Sequence, residues 1–293
     1  MKRRTCTTVG RGFGPPAGLP ASAAALTILL LAASAQQPDS FRFAIIGDRT
    51  GEAQPGVYER VWHDAAAENP AFVVSVGDTI QGLNDETADA EWQQVEKILS
   101  SWSRFPLYLV PGNHDIWSPR SEKLFQKYSG HPPHYSFDYG EAHFTVLDNS
   151  RNDQLSAAEF TYLDEDLKEH NNQPLKFIVS HRPSWLLKAV VGDPNFRLHQ
   201  IAEKYGARYV IAGHTHEMLH AELEGVDYIS MVSAGGHLRA TGKYEDGWFF
   251  GYAVVDVNTK GAGFRIHELG APYGQGRVTA LSDWGKAGLL NPN

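Results

Sequence analysis

Apolar positions along this chain fall into short runs rich in β-branched and aromatic residues, separated by polar stretches. Phe41–Ile46, Phe72–Val76, Leu107–Val110, His143–Leu147, Lys176–Val179 and Arg208–Ala212 are such runs. Bounded by Gly, Pro, Asn and Asp, they read as strands. Val57–Glu68, Ala88–Ser101, Ala157–Glu169 and Phe196–Tyr205 lie between several of them and carry helical patterns. Strand alternating with helix predicts an α/β fold whose sheets are covered by helices. The later runs Met218–Glu224, Val226–Val232, Phe249–Val257 and Gly263–Glu268 have little helix between them. They predict a second, more antiparallel sheet. After residue 38 no repeat or long linker divides the body, which reads as a single domain.

The N-terminus breaks this pattern. Lys2, Arg3, Arg4 and Arg11 form a basic head without acids, Ala21 to Ala33 is apolar, and Ala33-Ser34-Ala35 has the small-x-small form that signal peptidases cut. Residues 1–35 are therefore expected to be a secretory signal cleaved after Ala35, leaving 36–293 as a secreted or periplasmic domain with no stable membrane span. An uncleaved anchor is the alternative, and Arg3-Arg4 lacks the rest of a twin-arginine signal.

Losing that leader changes the composition. Subtracting its four cations from the net charge of −8 leaves the body at −12. So acidic a surface disfavours nucleic acid as a partner, which needs a basic footprint. The single cysteine, Cys6, leaves as well. The body then has no disulfide, no thiolate ligand and no cysteine nucleophile, so any metal must be held by nitrogen and oxygen.

The polar residues that interrupt the strands carry the candidate chemistry. Asp48, Asp78, Asn113, His181 and His214 each follow a predicted strand, and open α/β sheets bind ligands beyond the carboxyl ends of their strands. Taken singly, an Asp or Asn after a strand is usually a turn former or helix cap. As an ordered set they predict one rim where ligands converge.

The segments are Gly47-Asp48-Arg49-Thr50, Gly77-Asp78, Gly112-Asn113-His114-Asp115, Ser180-His181-Arg182-Pro183 and Gly213-His214-Thr215-His216. In this order they resemble the motifs of the calcineurin-like metallophosphoesterase superfamily. The resemblance runs from residue 41 to about 220 and on through the later strands; Tyr135–Tyr139 and the run ending at Asp148 resemble the middle of that fold. It implies an α/β, four-layer αββα sandwich with two mixed β-sheets. It also implies a dinuclear centre, with Asp48, Asp78 and His216 around one metal and Asp78, Asn113, His181 and His214 around the other. Two cations about 3.5–4 Å apart need a bridging carboxylate, for which Asp78 is the candidate. Imidazoles with carboxylate oxygens suit Mn, Fe or Zn. His114 would face the substrate and protonate the leaving oxygen, and Asp115 beside it would orient the ring. The implied activity is hydrolysis of phosphate mono- or diesters, on a small molecule or a phosphoprotein, by a metal-bound hydroxide.

One departure from the family pattern bears on this reading. The usual first motif is Asp-x-His, whereas position 50 is threonine. Purple acid phosphatases also lack that histidine but carry a tyrosine three residues after the second aspartate, where this chain has Gln81. The first metal is thus expected to bind more weakly. A non-catalytic protein that binds metal or phosphate on the same scaffold is the competing reading. Arg49 and Arg182 adjoin ligands and either hold phosphate oxygens or make salt bridges. His237 lines the rim or sits solvated in its loop; the second is the commoner outcome. Trp117, Trp185 and Trp248 wall a cleft or pack in the interior, the usual fate of Trp. Trp117–Lys127, Pro183–Pro194 and Ala234–Gly247 are the expected specificity loops.

Overall fold

In the computed structural model residues 40–270 and 274–284 are described. The chain runs β1 (Phe41–Ile46), α1 (Val57–Ala67), β2 (Phe72–Ser75), α2 (Ala88–Ser100), β3 (Leu107–Leu109), α3 (Pro119–Ser129), β4 (Tyr135–Tyr139), β5 (Ala142–Val146), α4 (Ala157–Glu169) and β6 (Leu175–Val179). It continues with α5 (Leu186–Val191), α6 (Arg197–Tyr205), β7 (Tyr209–Ala212), β8 (Leu219–Leu223), β9 (Val226–Ser230), β10 (Gly251–Asn258), β11 (Gly261–Gly270) and β12 (Gly274–Ala280).

Two six-stranded mixed sheets result, in the orders β12-β11-β10-β1-β2-β3 and β4-β5-β6-β7-β9-β8. β1, β2 and β3 are mutually parallel, as are β5, β6, β7 and β9, so within each sheet the carboxyl ends of these strands share one edge.

Alternation along the strands explains the layering, because successive side chains point to opposite faces. Phe43 and Ile45 enter the core between the sheets, while Ala44 and Ile46 face the layer containing Val61 and Trp62 of α1. In β6 and β7, Phe177, Val179, Tyr209 and Ile211 face the inter-sheet core, while Ile178, Val210 and Ala212 meet Leu163 and Leu167 of α4 and Leu198 of α6. Aromatic packing dominates between the sheets. Phe43 stacks on Phe72 at 5.0 Å and meets the edge of Phe144 at 5.3 Å, and Phe144 stacks on Phe177 at 4.6 Å. Each such burial contributes about 1.5–3 kcal/mol. The architecture is the four-layer αββα sandwich expected.

Two expectations are corrected. The later strands do not form a second sheet of their own. β10 pairs antiparallel with β1 in the register Ile46↔Tyr252 and carries β11 and β12, whereas β9 lies parallel to β7 and β8 forms that sheet's edge. Those partners are too far away in sequence for a local pattern to report. The stretch expected as the loop Trp117–Lys127 is largely α3. Ser118 caps it by accepting from the Ser121 N–H at 3.1 Å, and Ser121 Oγ accepts from the Ser118 N–H at 2.8 Å. Only Ser121 and Phe125 are buried in α3, so its apolar period is faint. The expected loop Pro183–Pro194 similarly contains the short α5.

Trp185 and Trp248 are buried and Trp117 is half-buried, the packing outcome for the first two. The expected leader and its cleavage point lie outside the described residues. Among the described residues no helix is long and apolar enough to cross a membrane.

Candidate metal centre

All six predicted ligands sit on loops that leave the carboxyl ends of parallel strands: Asp48 after β1, Asp78 after β2, Asn113 after β3, His181 after β6, and His214 and His216 after β7. Hydrogen bonds join these loops across the two sheets. His181 Nδ1 donates to the Val76 carbonyl at 2.8 Å, and the His214 N–H reaches both Asp48 carboxylate oxygens at 2.9 and 3.1 Å.

His181 is the hub. With Nδ1 committed to Val76, its Nε2 faces Asn113 Oδ1 at 3.1 Å, Asp78 Oδ2 at 3.2 Å and His214 Nδ1 at 3.2 Å. Asp78, His181 and His214 can each offer one ligand atom within 4.8 Å of the others. His216 is held in the same manner: its Nδ1 donates to the His237 carbonyl at 2.8 Å. Its Nε2 is buried without a hydrogen-bond partner, 3.3 Å from Asp48 Oδ2. A backbone acceptor that fixes one ring nitrogen and leaves the other bare is the usual support of a metal-ligating histidine. Thus the two histidines of Gly213-His214-Thr215-His216 address different groups, His214 joining Asp78 and His181, and His216 joining Asp48.

The backbone is strained to reach this arrangement. Asp78, His214 and His216 have φ of 53°, 69° and 64°, in the left-handed region that non-glycine residues avoid. Such strain of order 1–3 kcal/mol per residue persists where function requires the geometry. Neighbouring glycines make room: a Cβ on Gly112 would lie 2.2 Å from Asp78 Oδ1, and one on Gly236 would lie 2.4 Å from His216 Cε1.

Electrostatics point the same way. Burial opposes ionisation of Asp78, yet His181 and His114 hold its carboxyl well below the usual range. Burial likewise opposes a charged His181, but Asp78 and then Asp48 raise its pKa to about 9. Burial and then the charge of His181 push His214 down to about 4. A cluster that draws a proton onto His181 is a cluster short of positive charge. One proton on Nε2 answers one of three facing acceptors, whereas a divalent cation answers all of them. The donor set and the orphaned His216 Nε2 therefore fit metal ions. The trio Asp48, Asp78 and His216 does not close within the same distance as the first group, and only the pair Asp48–His216 meets directly.

The remaining expectations divide. His114 is half-buried, its backbone N–H donates to Asp78 Oδ1 at 2.9 Å, and its Nδ1 donates to the Gln81 carbonyl. That leaves Nε2 available. Asp115 is not the group that orients this ring. It is fully buried and accepts from the backbone N–H groups of Thr79, Ile80 and Gly112 at 2.9, 3.2 and 2.9 Å. It ties the loop after β2 to the loop after β3, because its side chain points inward where that of its neighbour His114 stays near the surface. Burial first, and the Asp78 charge second, raise Asp115 to about 6.

Arg49 donates to the Thr79 carbonyl at 3.2 Å and lies over the Tyr58 ring, while Arg182 pairs with Asp153. Both are thus engaged by protein groups. His237 is not a solvated loop histidine. Its N–H and Nδ1 both donate to the Gly51 carbonyl, at 2.8 and 2.6 Å, and its ring lies 5.9 Å from that of His216. Arg239 lies in the expected specificity loop Ala234–Gly247, but the sequence did not single it out. It is half-buried on the same loop, its Nε is enclosed without a partner, and its Nη2 lies beside Gly51. No local motif announces the residue itself.

Two further histidine clusters are satisfied within the protein. His143 bonds Asp138 and Asp166 at 2.7 and 2.9 Å, and His199 bonds Tyr228 at 2.9 Å.

A family profile described as calcineurin-like phosphoesterase matches residues 41–218. No match was found among curated protein sequences. The fold is similar to that of a purple acid phosphatase from yellow lupin (Lupinus luteus) seeds, with TM-score 0.62 and 14% identity over 84% of this chain and 54% of that one. This chain therefore spans about half of that protein's length. It is also similar to a dimetal phosphatase from Danio rerio, with TM-score 0.58 and 15% identity over 82% of this chain and 98% of that one. The Plasmodium protein GAP50, described as the anchor in the inner membrane complex, is similar too, with TM-score 0.56 and 15% identity over 83% and 89% of the two chains. At these identities the likeness is one of fold.

Proposed function

The chain belongs to the calcineurin-like phosphoesterase family, and from that membership we propose an exported enzyme that hydrolyses phosphate esters at a two-cation centre. The observation that carries the reading is the convergence of Asp78, Asn113 and His214 on the Nε2 of His181, with Asp48 and the unpartnered Nε2 of His216 alongside. Asp78, Asn113, His181 and His214 would hold one cation. Asp48 and His216, with Asp78 shared, would hold the other. Nitrogen and oxygen donors of this kind suit Mn, Fe or Zn. When bound, such ions supply Lewis acidity and a water acidic enough to attack phosphorus at neutral pH.

The chain's own groups supply the rest. The His114 backbone N–H donates to the Asp78 carboxylate and its ring Nδ1 to the Gln81 carbonyl, which holds the ring beside the centre and leaves Nε2 to face substrate. In its protonated form that nitrogen can donate to the leaving oxygen, the general-acid role. Hydrogen bonds between the loops hold Asp78, His214 and His216 in their left-handed backbone conformations, so the donors are in place before substrate arrives. Export rests on the leader, whose basic head, apolar run and Ala33-Ser34-Ala35 site predict a mature terminus at Gln36.

The test is elemental analysis of the isolated protein together with hydrolysis of aryl phosphate mono- and diesters after addition of Mn or Zn. Two metals per chain and turnover are expected. Absence of bound metal after such loading would overturn the reading. Thr50, which offers a hydroxyl where an imidazole is usual, favours a non-catalytic metal-binding protein as the second reading. Two metals without turnover on either ester would support it.

A further inference from the structure

We propose that Arg239 is the group that selects a phosphate monoester over a diester, by binding the substrate's third non-bridging oxygen. The inference rests on the phosphoesterase reading above and names the substrate class of that site.

Three observations carry it. First, Arg239 lies beside the Asp48–His216 half of the centre. A Cβ placed on Gly51 would lie 3.0 Å from His216 Cε1, 3.5 Å from His216 Nε2 and 3.9 Å from Arg239 Nη2. The imidazole that would hold a metal and the guanidinium thus border one small space, kept open because residue 51 has no side chain. Second, Arg239 is without an anionic partner. Among the described residues no carboxylate lies within ion-pair distance of it, and its buried Nε has no hydrogen-bond partner. Of the earlier phosphate candidates, Arg182 also has a buried Nε without a partner, but its charge is paired with Asp153, and Arg49 donates to the Thr79 carbonyl. A partly desolvated guanidinium left unpaired in a strongly acidic chain is costly unless an anion completes it. Third, its loop is fastened to the centre. The N–H groups of Ala234 and Gly236 donate to the Asp48 carbonyl at 2.9 and 3.2 Å, that of His237 donates to the Gly51 carbonyl at 2.8 Å, and that of Gln54 donates to the Gly235 carbonyl at 2.7 Å. The guanidinium is therefore presented from a fixed base.

The substrate class follows from charge and oxygen count. A monoester dianion has three non-bridging oxygens. Bound cations would offset part of that charge, and the oxygen left over, with the second negative charge, requires a donor from the protein; a guanidinium suits it in charge and geometry. A diester has only two such oxygens and one charge, and its second ester group would occupy the space beside Gly51. His114, whose ring donates to the Gln81 carbonyl while Thr50 donates to the Gln81 side chain, would protonate the leaving oxygen. Arg239 contributes to binding and discrimination, and takes no part in proton transfer.

The experiment compares the full mature chain with Arg239→Gln, Arg239→Lys and Arg239→Ala, each loaded with Mn. It measures kcat/KM for an aryl phosphate monoester and its methyl diester, metal content, and the binding of inorganic phosphate by calorimetry. Wild type should prefer the monoester. Arg239→Gln should lower monoester kcat/KM by about 10- to 100-fold, the range for one hydrogen bond to a charged group, and shift the monoester-to-diester ratio by at least about tenfold. Phosphate affinity should weaken in parallel while metal content stays at the wild-type level. Arg239→Lys should recover part of the ratio, and added guanidinium should partly rescue Arg239→Ala on the monoester. An equal fall on both esters, or loss of metal, would overturn the proposal. Wild-type protein that hydrolyses neither ester would sink the phosphoesterase reading instead. In that event phosphate calorimetry still decides Arg239, because unchanged affinity in Arg239→Gln rejects its role as an oxyanion donor.

Discussion

Thr50 donates its hydroxyl to the Gln81 side-chain oxygen at 2.6 Å, joining the loop after β1 to the loop after β2 beside the centre. Thr50 stands where the family's first motif usually has histidine and Gln81 where purple acid phosphatases have tyrosine, and the two are in direct contact. The fully buried Thr50 spends its proton on Gln81, so the Asp48–His216 side lacks the imidazole that position 50 usually supplies. Thr50→His should therefore tighten the more weakly held cation by roughly tenfold, the order of one added charged contact. Calorimetric titration of metal-free protein would read this; an unchanged second binding step would argue against a weak site.

His114 donates to Asp78 through its backbone N–H, which alanine would keep, and to Gln81 through its ring, which alanine would remove. Replacing it with alanine should lower turnover by about 10²- to 10⁴-fold, the usual worth of a positioned acid. Metal content should stay near the wild-type value. A matching loss of metal would reassign His114 to the ligand set.

Asp78 accepts from His114 and faces His181, so it touches both the proposed acid and the hub of the centre. Asp78→Ala should empty both positions in elemental analysis. Retention of two ions would contradict its shared role.

Asp115 is a structural prediction. Its carboxylate serves three buried backbone N–H groups. Asp115→Ala should cost about 3 kcal/mol or more, since each orphaned donor costs about 1–3 kcal/mol. Urea unfolding would show the loss, and a stability within about 0.5 kcal/mol of wild type would refute it.

His143, which is not among the predicted ligands, makes stability depend on pH. It is buried between Asp138 and Asp166; burial lowers its pKa, but Asp166 and Asp138 outweigh that and raise it above the ordinary 6.5. The folded state therefore holds this proton more tightly than the unfolded chain. The stabilisation is complete below pH 6.5 and is lost as pH rises through the higher folded value. Unfolding free energies measured at successive pH values from 6 upward should fall in wild type, and fall less in His143→Gln. Parallel slopes would exclude His143 as the titrating group.

Much of the centre was already written along the chain. The order Asp48, Asp78, Asn113, His181, His214 and His216, each behind a short apolar run, could be read directly because strand periodicity and turn chemistry act over a few residues. The same locality let the bounds of β1, α1, α4 and α6 be anticipated to within about two residues. Other features depended on partners distant in sequence. His181 and Val76 are separated by 105 positions, Asp48 and His214 by 166, and His237 and Gly51 by 186. Only folding decided which ring nitrogen each histidine leaves bare, that Asp115 turns inward, that β10 returns to β1, and that Arg239 arrives beside His216. A side chain's role is set by what surrounds it, and here those surroundings come from loops brought together by sheet pairing. Periodicity specifies where a strand ends; the pairing of distant strands specifies what stands there.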